Sequence, residues 1–126
     1  MRKASIFIMF ITIVVLLSSC SLIANEPPGW LRYDWYYGDK PSTKAFEISR
    51  AGVYQCSANK YIFETAGGEY EVVRKDDDVF SFKYKIGDDA VVTFQKDYSY
   101  HDDGKVWVKY FITSGDYKTN PIYIFR

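Results

Sequence analysis

Hydrophobic and polar residues alternate along most of the chain from Trp30 to Arg126. The clearest alternation covers residues 79–86, where one face is apolar and the other carries Ser81, Lys83 and Lys85. No stretch of this part of the chain has the three-to-four-residue spacing of an amphipathic helix. The pattern therefore predicts an all-β domain. The apolar positions of that stretch are Phe80, Phe82, Tyr84 and Ile86.

Turn-forming residues divide this domain into short strands. Between the strands stand groups of Gly, Asp, Asn and Pro, such as Gly67-Gly68 and Asp103-Gly104. Residues 53–58 and 60–65 form either two strands that meet at Asn59 or one long bent ribbon. The predicted strands are 31–37, 44–49, 53–58, 60–65, 69–74, 79–86, 90–96, 106–113 and 120–126.

Short turns leave no room for parallel crossover connections, so consecutive strands are expected to pair antiparallel as a meander. A meander of eight or nine strands tends to curl and close, because closure removes the unpaired edges. We therefore predict an antiparallel meander that closes into a small up-and-down barrel over residues 29–126. A two-sheet sandwich is the alternative.

An apolar run precedes this domain. It follows Arg2 and Lys3, extends from Ile6 to Leu17 and ends at Ser18-Ser19-Cys20. Residues 4–17 are too few for the roughly 20 that cross a bilayer as a helix. A short apolar core followed by small residues is typical of a cleaved signal peptide, which we predict over residues 1–19 as a helix.

The order of these features, with Leu17-Ser18-Ser19-Cys20 at the end, resembles a bacterial lipoprotein signal. The resemblance implies that Cys20 becomes the first residue of the mature chain and carries a diacylglycerol group and palmitate-type acyl chains. Residues 20–28 would then tether the domain to a membrane of the cell envelope. Ser21 is not the aspartate that retains such proteins in the inner membrane, which implies the outer membrane in a Gram-negative cell.

Composition limits the partners of the domain. The formal net charge is zero and becomes negative once Arg2 and Lys3 are removed, and no basic cluster occurs, so nucleic acid is excluded as a partner. With Cys20 lipidated, Cys56 has no intramolecular disulfide partner, and we predict that it is a small buried residue of a strand. We expect a monomer without a cofactor.

The chain has twelve Tyr, nine Phe and three Trp, which supply a small domain with large core side chains. Pro27-Pro28-Gly29-Trp30 followed by Trp35-Tyr36-Tyr37 resembles the opening of small lipocalin-like lipoproteins. That resemblance implies a calycin-type barrel in which a tryptophan near the first strand plugs one end. Such a barrel encloses an apolar cavity, unless its own side chains fill the interior.

Three acidic turns are candidates for calcium binding: Asp76-Asp77-Asp78, Asp88-Asp89 and Asp102-Asp103. None has the spacing of an EF-hand loop, and aspartate is common in turns because its carboxylate accepts bonds from nearby backbone amides. The structural interpretation is therefore favoured, and no metal site is predicted. His101 is the only histidine, and no nucleophile and base can be assembled around it, so we predict no catalytic residues and no enzyme.

Aromatic residues at strand ends or in polar surroundings are candidates for contact with a ligand or partner, because tyrosine offers contact area with few rotors to immobilise. We predict a non-enzymatic, membrane-anchored binding lipoprotein whose partner is a small hydrophobic molecule or an envelope protein. The alternatives are a structural envelope lipoprotein and an inhibitor or exclusion factor that acts by protein contact. The candidate contact residues are Tyr33, Tyr36, Tyr37, Tyr98, Tyr100 and Tyr117.

Overall fold

The computed structural model describes residues 25–84, 89–99 and 103–126, and these residues form an all-β domain. The predicted signal peptide, Cys20, Ile86, Asp88, Tyr100, His101 and Asp102 lie outside the described residues. A 3₁₀ turn, Gly29–Leu31, precedes the strands. The strands are β1 (Asp34–Tyr37), β2 (Lys44–Ser49), β3 (Gly52–Gln55), β4 (Lys60–Glu64), β5 (Tyr70–Lys75), β6 (Val79–Tyr84), β7 (Val91–Asp97), β8 (Trp107–Ser114), β9 (Tyr117–Lys118) and β10 (Ile122–Phe125).

The strands form one continuous antiparallel sheet that curls into a nearly closed barrel, as the alternation predicts. Its order is β4-β3-β2-β1-β10-β8-β7-β6-β5, and β9 adds a short hairpin to β8. The first and last strands, β1 and β10, pair with each other: Tyr36 pairs with Phe125 and Tyr37 with Ile124. This pairing joins the two ends of the sequence within one sheet.

The barrel stays open between β4 and β5 because the number of strands in its main order, nine, is odd. Direction alternates along the nine-strand order, so its two end strands, β4 and β5, run in the same sense. Parallel neighbours need a crossover of a dozen or more residues, whereas only residues 65–69 connect these two strands. Residues 65–69 turn the chain, as Gly67-Gly68 predicts, but the antiparallel pairing expected between these two consecutive strands is wrong, and a seam remains here.

Aromatic side chains fill the inside of this seam. The ring of Phe63 on β4 lies with its centroid 5.4 Å from that of Tyr70 on β5 and 4.8 Å from that of Phe82 on β6. Phe63 also meets Phe80 edge to face at 5.5 Å. Side-chain packing thus connects the two strands where the backbone does not.

The predicted first strand, 31–37, begins too early. Residues 29–31 form the 3₁₀ turn, in which the Leu31 amide donates to the Pro28 carbonyl at 2.9 Å. The Leu31 side chain is completely buried, and its carbonyl accepts the indole N–H of the equally buried Trp35 at 2.8 Å. Burial of this leucine outweighs its strand pattern, so β1 starts only at Asp34.

This 3₁₀ turn covers one end of the barrel, which we call the plugged end. Trp30 donates its indole N–H to the carbonyl of Asp76, in the turn between β5 and β6, at 2.9 Å. The ammonium of Lys96, at the end of β7, lies 5.2 Å from the centre of the Trp30 ring. These two contacts attach Trp30 to the β5–β6 turn and to β7.

Two further boundaries follow from single residues. Asn59 adopts a positive φ of 53° and separates β3 from β4, so residues 53–65 form two strands and not one bent ribbon. Cys56 lies just after β3 and is half-buried, so its predicted place inside a strand is wrong.

Candidate functional site

The interior of the barrel is filled by its own aromatic rings. Phe46 packs against Phe94 with ring centroids 5.2 Å apart and against Tyr110 at 5.0 Å, and Phe94 and Tyr110 are 5.2 Å apart. At the seam, the rings around Phe63 continue this packing. The completely or almost completely buried large side chains come from both halves of the sheet: Trp35, Phe46, Phe63, Phe80, Phe82 and Phe94.

The main cavities found around the described residues lie on the rims and the outer wall. One cavity of about 600 Å³ lies beside the ends of β2 and β4, with Tyr61 as its one aromatic wall. A cavity of about 500 Å³ on the outer wall contains two large aromatic side chains, Trp107 and Tyr123. None of the six most buried aromatic residues lines either cavity.

We call the second cavity the Trp107 groove. It extends over the outer surface of β8, β10 and the start of the β1–β2 loop. Its volume is about 500 Å³, and its walls are formed by Gly38, Asp39, Trp107, Pro121, Ile122 and Tyr123.

A glycine creates the floor of this groove. A Cβ atom at Gly38 would lie 2.7 Å from Cζ3 of Trp107, so any other residue would push the indole away. The Gly38 amide donates to the Tyr123 carbonyl at 2.9 Å, which fixes the β1–β2 loop beside β10. The six-membered ring of the Trp107 indole therefore packs directly on Gly38.

The indole is also held by its polar edge. Its N–H points at both carboxylate oxygens of Asp103, at 3.1 and 3.3 Å, and one of these oxygens accepts the Lys105 amide at 3.0 Å. Asp103 thus accepts a backbone bond within its own turn and at the same time orients the Trp107 side chain at the start of β8. A fixed aromatic plane of this kind costs little conformational entropy when it meets a partner.

Further aromatic residues adjoin the groove on one side. The ring of Phe125 lies 5.1 Å from that of Trp107 and 6.2 Å from that of Tyr36, so the three rings form a row across β8, β10 and β1. The Lys105 ammonium lies 4.4 Å from the centre of the Phe125 ring. On the groove itself, Ile122 and Tyr123 are 43% and 44% exposed.

The arrangement is suited to recognition. It combines exposed apolar area, an oriented indole, the carboxylate of Asp39 at one wall and a cation beside the aromatic row. Interfaces are enriched in such aromatic residues, which bury large areas against a partner.

The structure does not bring the six candidate tyrosines together. Tyr33 and Tyr98 lie at the plugged end, Tyr117 lies at the opposite end as the first residue of β9, and Tyr100 is outside the described residues. Tyr37 packs against the core. Only Tyr36 belongs to the aromatic row beside the groove.

In the Asp76-Asp77-Asp78 turn, the carboxylate of Asp76 bonds the backbone of its own turn. One oxygen of Asp76 accepts the amides of Asp78 and Val79 at 2.9 and 2.8 Å, and the other accepts Arg74 Nε at 2.7 Å. These bonds, the Asp78 amide above all, lower the pKa of Asp76 from 3.8 to about 2. Within residues 25–84, 89–99 and 103–126, no three Asp, Glu, His or Cys side chains converge as a metal site.

Cys56 is half-buried, and this partial burial raises the pKa of its thiol, with a further contribution from the charge of Glu47. A raised pKa leaves less reactive thiolate at neutral pH. No helix in the described part of the chain is long and apolar enough to cross a membrane.

No protein-family model matches this chain, and no curated protein or solved structure is significantly similar to it.

Sequence reasoning missed Gly38, Trp107 and Tyr123 as site residues, although one signal was present. Within strand 106–113, the alternation places Val106, Val108, Tyr110 and Ile112 on one face. It leaves Trp107 on the other, and a tryptophan on an outward face is a recognisable candidate for contact. Gly38 gave no comparable signal, because its neighbour Trp107 is distant in sequence.

Proposed function

We propose that this protein is a lipid-anchored, non-enzymatic recognition module of the bacterial envelope that binds its partner through the Trp107 groove. Cys20 carries the anchor, and the barrel acts as a rigid support for the groove. This proposal keeps the membrane-anchored binding lipoprotein expected from the sequence. It moves the contact from a cavity inside the barrel to the outer wall.

The observation that carries the proposal is the filled interior. Phe46, Phe94 and Tyr110 occupy the centre with ring centroids 5.0 to 5.2 Å apart, and none of these three residues lines either of the two cavities described above. Drug-sized and lipid-sized ligands need cavities of a few hundred Å³. The Trp107 groove offers about 500 Å³ on the outside, with an aromatic plane already oriented.

The filled interior also favours one of the two alternative functions, an inhibitor or exclusion factor that acts by protein contact. Such a factor needs an exposed aromatic surface and no internal cavity. It would use the same groove, so both versions depend on the same residues and differ in what the partner does.

Two measurements test the proposal. For the anchor, cells are labelled with palmitate; the native protein is expected to incorporate label, and a Cys20→Ala variant is not. Label that persists in Cys20→Ala contradicts lipidation at this residue.

For the site, the protein purified from envelopes is extracted with organic solvent, and the extract is analysed by mass spectrometry. Apart from the anchor acyl chains, no stoichiometric small molecule is expected, and a fluorescent fatty acid should not bind saturably at micromolar concentration. One molecule of ligand per barrel, retained in Trp107→Ala, would show that the interior and not the groove is the binding site.

A further inference from the structure

We propose that the plugged end of the barrel docks on the bilayer surface, with Tyr33 and Tyr98 at the level of the lipid headgroups. This inference rests on the proposed anchor at Cys20. It adds an orientation: one end of the barrel contacts lipid, and the other faces away from the membrane.

The point where the chain enters the domain lies at the plugged end. Pro27 is completely buried, and Glu26 lies 3.8 Å from the guanidinium of Arg32, next to the 3₁₀ turn. Whatever its conformation, the chain from Cys20 to Glu26 extends at most about 20 Å, at roughly 3.4 Å per residue. Lipid on Cys20 thus holds this end close to the bilayer.

Two tyrosines extend from this end into solvent. Tyr98, which is 76% exposed, follows β7, and its hydroxyl bonds the carboxylate of Asp78 in the β5–β6 turn. This bond raises the pKa of Tyr98 above its ordinary value. Tyr33, 45% exposed, lies under the guanidinium of Arg126, 3.8 Å from the ring centre.

This chemistry fits an interfacial surface. Tyrosine and tryptophan concentrate at membrane interfaces because their rings are apolar and their polar edges bond headgroups and water. Arg126 and Lys96 add cations beside Tyr33 and Trp30, but the carboxylates of Asp76 and Asp78 share this end. The contact therefore depends on aromatic groups and does not require anionic lipid.

The opposite end is well separated. Strand β8 has eight residues and runs from the plugged end to the Tyr117 hairpin, about 26 Å at roughly 3.3 Å per residue and about 20 Å along a barrel axis tilted by about 40°. Trp107 is the first residue of β8 and pairs with Asp97, next to Tyr98, so docking through the plugged end places Trp107 near the bilayer, whereas Ile122 lies level with Tyr110, farther along β8.

The experiment compares two exposed positions at opposite ends, Ser99 beside Tyr98 and Asp116 beside Tyr117. Each is changed to cysteine in the lipidated Cys56→Ser protein and labelled with a nitrobenzoxadiazole fluorophore. The protein is placed in phosphatidylcholine vesicles that contain lipids spin-labelled near the headgroup. We expect quenching several-fold stronger at position 99 than at position 116.

Tyrosine variants then test the contact itself. Tyr33→Ser combined with Tyr98→Ser should reduce quenching at position 99 several-fold, whereas Tyr117→Ser should leave it unchanged. Equal or stronger quenching at position 116, or quenching at position 99 that survives loss of both tyrosines, overturns the inference.

The mass of the N-terminal peptide of the same sample separates the two proposals. An acylated peptide with quenching at position 116 rejects the orientation and retains the anchor. An N-terminal peptide without acyl chains rejects both.

Discussion

Trp107 packs directly on Gly38 on the outer wall of the barrel: a Cβ at position 38 would approach Cζ3 of the indole to 2.7 Å. This contact joins β8 to the end of β1 across β10 and determines where the indole lies. The position of the indole ring depends on the absence of a side chain at Gly38. The indole N–H is oriented by the carboxylate of Asp103. The proposed recognition site therefore depends on Gly38 and Asp103, two residues for which the sequence patterns predict no role in binding a partner.

Substitution of Gly38 should disturb the groove more than the fold. We expect Gly38→Ala to displace the indole and to lower the free energy of unfolding by about 1–3 kcal/mol, the usual cost of overpacking. Gly68→Ala is the control, since a Cβ there has no atom within 4 Å. Denaturation in urea and the accessibility of tryptophan to iodide would measure both effects. A Gly38→Ala protein with unchanged stability and unchanged quenching would contradict the contact.

The seam between β4 and β5 should depend on one ring. Phe63→Ala removes the ring that packs on Tyr70, Phe80 and Phe82, and we expect a loss of about 3–5 kcal/mol, as for other buried Phe→Ala changes. Tyr61→Ala, on the same strand but 41% exposed, is expected to cost under about 1 kcal/mol. Similar losses in urea unfolding for the two variants would mean that Phe63 does not stabilise the seam.

Asp76 should make stability depend on pH in acid. Its pKa is lowered to about 2 in the folded protein, so its carboxylate stabilises the fold above its ordinary pKa of 3.8. This contribution is lost as the pH falls from about 4 toward 2, because the unfolded chain binds the proton first. The advantage of the native protein over Asp76→Asn should therefore shrink across this window in urea titrations. An advantage that stays constant from pH 5 to 2 would refute the assignment.

The sequence predicted local features well and distant ones poorly. The alternation at Phe80 and Phe82 marks β6 because the two-residue period is a property of a single strand. The open seam was not predicted, because it follows from the number of strands and the pairing of Tyr36 with Phe125 at opposite ends of the chain. The 3₁₀ turn was missed because burial of Leu31 overrides its local strand pattern.

The candidate tyrosines show the same limit. Exposure of Tyr98 and Tyr117 could be inferred from their polar neighbours, but their positions at opposite ends of the barrel depend on the direction of β7 and β8. Sequence also placed Trp107 on an outward face. That Gly38 would be its floor required the register that puts Gly38 beside Tyr123.

Site-specific photo-crosslinking in intact envelopes tests recognition through the Trp107 groove most directly. A benzoylphenylalanine replaces Tyr123 in the groove or, as a control of similar exposure, Tyr61 in the other large cavity; the two tyrosines are 44% and 41% exposed. We predict a discrete adduct from position 123 that is lost in a Trp107→Leu background, with thermal unfolding confirming that this background is folded. An adduct at position 123 that persists without Trp107, or the same adduct at equal yield from position 61, would contradict recognition through the groove.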